Sequence, residues 1–105
     1  MKKIMLVCSG GMSSSLLVTK MDKAAKEMGK EFEIFAVSEP EGVDRLKKDN
    51  DISVVLVGPQ IRYVEPKFAE VIGNRPIKLA VINMMDYGMM NGEKVLKAAI
   101  KLMES

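Results

Sequence analysis

Four short apolar runs punctuate the chain, at Ile4 to Val7, Phe32 to Val37, Ile52 to Val57 and Ile77 to Ile82. Three of them are nearly continuous in Val, Ile, Leu or Ala, as strands buried on both faces of a sheet must be. The second, "FEIFAV", is the weaker pattern and suits a strand nearer the sheet edge.

Between the runs the apolar spacing changes to that of a helix. Leu17, Met21, Ala24, Ala25 and Met28 recur at intervals of three and four, with Gly29 where a helix C-terminus belongs. "SEPEGVDRL" predicts a short second helix to about Lys48: Ser38 is a candidate N-cap, Glu41 stands at the capping-box spacing, and Pro40 is tolerated in the first turn. Val64, Phe68, Val71 and Ile72 mark a third helix, ended by Gly73 and "NRP". A last helix is expected from about Met89 to Met103, with Val95, Leu96, Ala99, Ile100 and Met103 on one face.

Strand and helix alternating with short connections is the signature of a parallel sheet with right-handed crossovers. That pattern predicts an α/β fold; the sheet is expected to be a single doubly wound, four-stranded parallel one of order 2-1-3-4, with helices on both faces and a phosphatase-like phosphate loop after the first strand. Residues 1–105 are read as one domain, without internal repeats, low-complexity tracts or a dividing linker. Ligands of such sheets bind at the carboxyl ends of the strands. Cys8 stands at that edge, as do the short connections "SEP", "GPQIRY" and "NMMDYG", each read as a loop.

Composition narrows the function classes. A hydrophobic fraction of 48% supports a core and argues against disorder. The single cysteine excludes an internal disulfide and points to a reducing compartment. The N-terminal apolar stretch is too short for a signal peptide, and no run approaches the ~20 residues of a membrane span. A cytoplasmic protein without direct membrane insertion is expected. The net charge of +2 lacks the concentrated positive charge of nucleic-acid binders. Lys20, Lys23, Lys26, Lys30, Lys94, Lys97 and Lys101 fall where solvated helix faces would be.

The chemistry concentrates in "VCSGGMSSSLLV". Two glycines allow a tight backbone turn, and consecutive N–H groups converging ahead of a helix N-terminus make an anion-binding concavity. Serine hydroxyls supply further donors. The residues describe a phosphate cradle with a thiol at its rim, and amide dipoles around a thiol favour its nucleophilic thiolate form. A cysteine ending a strand can also serve as a small buried hydrophobe; the following Gly-Gly and serine cluster favour chemistry.

Other chemistries lack their residues. A Walker A loop needs Gly-Lys followed by Ser or Thr, and no lysine lies between Lys3 and Lys20. With no histidine and one cysteine, a metal site is not readily assembled. Cysteine-dependent phosphatases follow Cys with five residues and an Arg that grips phosphate. Here that position is Ser14, and the first arginine of the chain is Arg45. Asp86, in "DYG", is a candidate general acid on the same edge, or a turn residue. A phosphoryl carrier, a hydrolase of the phosphatase or arsenate-reductase kind, and a flavodoxin-like phosphate-binding module all remain open from these residues.

"MLVCSGGMSSSLLV", "LVGPQIRY" and "VINMMDYGMMNGEKVL" together resemble the IIB component of the lactose/cellobiose family in the bacterial sugar phosphotransferase system. The likeness runs over essentially the whole chain. It implies a phosphocysteine carrier: Cys8 takes a phosphoryl group from a phosphohistidine of the IIA component and passes it to a disaccharide, by default cellobiose-type, held by the membrane component IIC. Ser9, Gly10, Gly11, Met12, Ser13, Ser14 and Ser15 match the family's phosphate-binding segment, with Ser14 a hydroxyl-for-hydroxyl change from the more familiar threonine. Pro59, Gln60, Asp86 and Tyr87 are assigned to the rim or docking surface. Met12, Met84, Met85, Met89 and Met90 could adapt to two partners if exposed, or fill the core. The resemblance implies no cofactor or metal, and peripheral association with the membrane transporter.

Overall fold

The computed structural model describes residues 1–9 and 12–105, with Met12 and Ser13 described for backbone alone. Its four strands are β1 (Lys2–Val7), β2 (Phe32–Val37), β3 (Ile52–Val57) and β4 (Lys78–Val81). They form one parallel sheet in the order β2-β1-β3-β4, the order expected. β1 pairs with β2 from Lys2 opposite Phe32 to Val7 opposite Val37, without a register break. Its pairing with β3 has one irregularity, between Lys3 and Ile4.

Strand side chains alternate between faces, so unbroken apolar runs supply two cores at once. On one face Ile4, Leu6, Val54 and Leu56 pack against Leu17, Met21 and Ala25 of α1 (Met12–Glu27) and against Leu96 and Ala99 of a C-terminal helix. On the other, Met5, Val7, Val55 and Val57 meet Leu46 of α2 (Glu39–Lys48) and Phe68 and Ile72 of α3 (Glu65–Ile72). Enclosing a side chain as large as Phe68 contributes about 1.5–3 kcal/mol. β2 lies at one edge of the sheet, in keeping with its weaker pattern. β4 lies at the other, and its four residues are all half-buried, so the fourth run is not enclosed on both sides as its composition suggests.

The helix signals hold at α1, where Gly29 takes φ +70° and the Lys30 N–H donates back to the Ala25 carbonyl at 2.9 Å, a left-handed stop that glycine takes without penalty. At α2, Ser38 occupies the N-cap position, but its side chain makes no capping bond; the capping box is not formed. "GPQIRY" is not a plain loop: Pro59–Val64 forms a 3-10 turn that leads straight into α3.

The largest departure lies in the last quarter. The helix expected from Met89 starts three residues later, as α5 (Gly92–Glu104), and a further short helix, α4 (Met84–Gly88), precedes it across Met90, which takes φ +52°. Asparagine makes both starts. The Asn83 side chain accepts from the Met85 and Asp86 amides, and Asn91 accepts from that of Lys94. "NMMDYG" is thus a capped helical turn.

Two contacts away from the carboxyl edge hold the layers. At Gly92 a Cβ would lie 2.6 Å from the Lys20 carbonyl carbon and 2.7 Å from the Met21 nitrogen, so the start of α5 rests on the α1 backbone itself. Arg75, beyond α3, donates to the carbonyls of Leu46 at 2.6 Å and Val71 at 3.0 Å and to Asn50 Oδ1 at 2.9 Å, binding the C-terminal ends of α2 and α3 together. At the same end Lys3 Nζ donates to Asp49 Oδ2 at 2.6 Å.

Gly92→Ala should force the α1 and α5 backbones apart and cost about 1–3 kcal/mol, read as a lower urea midpoint. The pH dependence follows from Asp49. The hydrogen bond from Lys3, then that from the Asp51 amide, holds its carboxyl below the ordinary 3.8, while burial opposes them. Its stabilisation is therefore complete above that value and lost as pH falls through the lower folded one. Lys3 is raised above 10.5, chiefly by the same bond, so its share is lost only as strong alkali passes the folded value. Asp49→Asn should flatten the fall in urea midpoint between neutral pH and pH 3; an unchanged acid limb would contradict this.

Candidate functional site

The carboxyl ends of the strands assemble the site. The Cys8 N–H donates to the Val37 carbonyl at 3.0 Å, continuing the β1–β2 ladder one residue beyond the strands. The Cys8 thiol faces the same carbonyl, with Sγ 3.6 Å from the oxygen. Cys8 is buried, at 7% exposure. From the other side the Gly58 N–H donates to the Val7 carbonyl at 2.8 Å. A Cβ on Gly58 would stand 3.4 Å from that oxygen and 3.9 Å from Cys8 Cα, so glycine lets the β3 end lie close to the cysteine.

The residues assigned to the phosphate loop divide. Ser9 is exposed, Ser14 is buried and Ser15 is exposed. The backbone at Met12 and Ser13 already belongs to the first turn of α1, so the α1 N-terminus, with no acidic residue in that turn, follows Cys8 closely. The dipole of that helix end favours an anion. Gly10 and Gly11, and with them the closed shape of the loop, lie outside the described residues.

The rim assignments also separate. Pro59 is buried beside Gly58, and Gln60 is exposed, with its Oε1 3.6 Å from where a Gly58 Cβ would be. Asp86 is half-buried on α4, and its carbonyl accepts from the Asn91 amide at 2.8 Å. Tyr87 turns the other way, into the core shared with Leu17 of α1 and Leu56 of β3. Burial pushes its phenol above the ordinary value, and the negative charge that Cys8 carries when ionised pushes it further. The phenol therefore keeps its proton at neutral pH.

Several large apolar side chains on the elements that follow the strand ends are exposed. Met84, Met85 and Met89 are 65%, 71% and 70% exposed, Tyr63 of the 3-10 turn is 68% exposed and Leu16 of α1 49%. Met90 instead packs against the core, and the Met12 side chain lies outside the described residues. Sequence reasoning named the methionines and read Gly58 as a turn former, but missed Leu16 and Tyr63. The break between α4 and α5, which puts Met89 at the surface, was available only from the two asparagine caps. Among the described residues no group of three or more His, Cys, Asp or Glu could hold a metal ion, and no helix is long and apolar enough to cross a membrane.

The family described as "PTS system, Lactose/Cellobiose specific IIB subunit" matches residues 3–98. The chain belongs to this family. As a IIB component it is a phosphotransferase component of sugar uptake, and the hydrolase reading loses its footing. This IIB chain is 44% identical over 104 residues to the oligo-beta-mannoside-specific EIIB component of Bacillus subtilis (strain 168), covering 98% of this chain and 97% of that one. It is 45% identical to the galactose-specific EIIB component of Lactococcus lactis subsp. cremoris (strain MG1363), over 97% and 96% of the two chains. Among solved structures, the cellobiose-specific IIB component of Borrelia burgdorferi superposes with a TM-score of 0.77 at 37% identity, over 98% of this chain and 92% of that one.

Asn83→Ala removes the acceptor that starts α4 and should cost about 1 kcal/mol. In hydrogen exchange the amides of Met85 and Asp86 should lose protection while those of β1 and β3 keep theirs. Uniform loss across the sheet would mean that α4 is not an independently held element.

Proposed function

We propose that Cys8 carries the phosphoryl group between a phosphohistidine of the IIA component and a disaccharide bound by the membrane component IIC. The observation that carries this reading is the placement of the chain's single cysteine at the end of a central strand, directly ahead of the α1 N-terminus, in a chain with no histidine. The nucleophile and an anion-favouring helix end are present; the upstream phosphohistidine must come from another protein or domain.

In the first transfer the Cys8 thiolate attacks phosphorus in line, an S–P bond forms and the P–N bond to the donor imidazole breaks. The proton that leaves the thiol is balanced by the one the departing imidazole nitrogen gains. The amides of Ser9, Gly10, Gly11, Met12, Ser13, Ser14 and Ser15 hold the transferred oxygens, with serine hydroxyls adding donors. In the second transfer a sugar hydroxyl attacks the phosphocysteine, an O–P bond replaces the S–P bond, and the hydroxyl proton is taken up as the thiol re-forms. The base for that hydroxyl comes from IIC.

Ser14, standing where phosphatases place their clamping arginine, leaves water attack on the intermediate unassisted, which a carrier requires. Pro59, Gln60, Asp86 and Tyr87 form the rim, and the flexible exposed methionines let one surface meet IIA and IIC in turn. Residues 1–105 act as one unit at the cytoplasmic side of the transporter. Relatives named for an oligo-beta-mannoside, galactose and cellobiose resemble this chain to similar degrees, as expected if the sugar is selected in IIC; a cellobiose-type disaccharide is the default.

Incubation with phosphoenolpyruvate, the general phosphotransferase proteins and a cellobiose-type IIA should add one phosphoryl group to the wild-type mass and none to Cys8→Ser. An adduct of equal occupancy on the variant would contradict the assignment of Cys8.

A further inference from the structure

Gly58 is a glycine that its own backbone does not require. Its φ of −61° and ψ of 141° are open to any L-residue, and the contacts a Cβ would make there begin at 3.4 Å, a separation that side chains tolerate. Glycine also loses more backbone freedom on folding than any other residue. The position of that Cβ shows what its absence provides. The point lies 3.4 Å from the Val7 carbonyl oxygen, 3.6 Å from Gln60 Oε1 and 3.9 Å from Cys8 Cα. The missing methyl leaves open a gap that borders on both the cysteine and a side-chain amide.

The amide is carried by an anchored turn. Pro59 and Ile61 are buried on either side of the exposed Gln60, and the Ile61 N–H donates to the Gly58 carbonyl at 3.1 Å. The segment holding Gln60 is thereby fixed to the end of β3, and its side chain folds back to Gly58. Both distances start from one point, which limits how far apart the amide and Cys8 can be. A phosphoryl group on Sγ is long enough to span that interval.

We propose that the Gln60 amide donates a hydrogen bond through Nε2 to an oxygen of the phosphoryl group carried on Cys8, and that Gly58 keeps open the space in which they meet. The inference rests on the carrier reading of the site. An exposed amide turns over without disturbing the fold, exchanging Oε1 for Nε2. It stays neutral, so it donates to a phosphate oxygen without drawing a proton from water. It thus supplies a side-chain donor to a site that lacks the phosphatase arginine, holding the group and leaving it unhydrolysed.

The test compares wild type with Gln60→Leu, which alters an exposed side chain, and with Gly58→Ala, which keeps the amide and fills the gap; urea midpoints establish that the folds match. Each protein is loaded from phosphorylated IIA and stopped by rapid quench, with binding of unphosphorylated IIA measured separately. Loss of one hydrogen bond to a charged group should slow phosphorylation of Cys8 roughly tenfold at saturating donor in Gln60→Leu, with IIA affinity unchanged, and Gly58→Ala should slow it as well. In ¹⁵N spectra of wild type the Gln60 side-chain NH₂ signals should move on phosphorylation. An unchanged rate in Gln60→Leu with unmoved signals in wild type would overturn the inference alone, as would a loss confined to IIA affinity, which would make Gln60 a docking residue. If wild type forms no phosphocysteine at all, the carrier reading falls and this inference falls with it.

Discussion

The site depends on a staircase of backbone hydrogen bonds that carries the sheet one residue past its strands. Cys8 donates to Val37, Gly58 to Val7 and Ile82 to Val57. Each first loop residue is thereby tied to the last residue of the neighbouring strand. A thiol on a free loop would have to be ordered for each transfer; here β1 holds the Cys8 backbone between two neighbours, and the cost of ordering is met in folding. The same ladder sets where α1 starts and where α4 is hung.

The two cores beneath the edge explain why it is rigid. Every residue of β1 from Ile4 to Val7 is buried, and alternate side chains bind opposite helix layers, so a shift of the strand would disturb both faces together. Gly92 against the α1 backbone has the same effect midway along that helix, at Lys20 and Met21, locking α5 to the element that follows Cys8. Rigidity gives way to adaptable surface only outside this frame, at the exposed methionines of α4 and its flank.

How much of this the sequence shows depends on which physical signal each part uses. The strands rest on burial, and burial is written directly in unbroken apolar runs such as "ISVVLV"; their order is not, since the fourth run reads as an enclosed strand and lies at the sheet edge. The position of Cys8 follows from the end of one such run. The α4–α5 break was hidden because Asn83 and Asn91 act through side-chain caps, while the methionines after Asn83 carry no helical periodicity long enough to notice. The apparent capping box at Ser38 has the right spacing and does not form, since spacing alone does not decide where a hydroxyl points. Tyr87 could be named from its motif, but its burial is a property of packing. Leu16 and Tyr63 looked like ordinary apolar residues, and only their exposure marks them.

A carrier and a hydrolase share a nucleophile and a cradle, and differ in what happens to the intermediate. The account's central claim is that this site holds a phosphoryl group and leaves it for a sugar. The direct measurement isolates ³²P-labelled protein, divides it, and chases one half in buffer and the other with IIC-containing vesicles and cellobiose, following the label over time. The account predicts that label stays on the protein in buffer and passes to sugar phosphate with the vesicles. Rapid release as inorganic phosphate in both halves would contradict it.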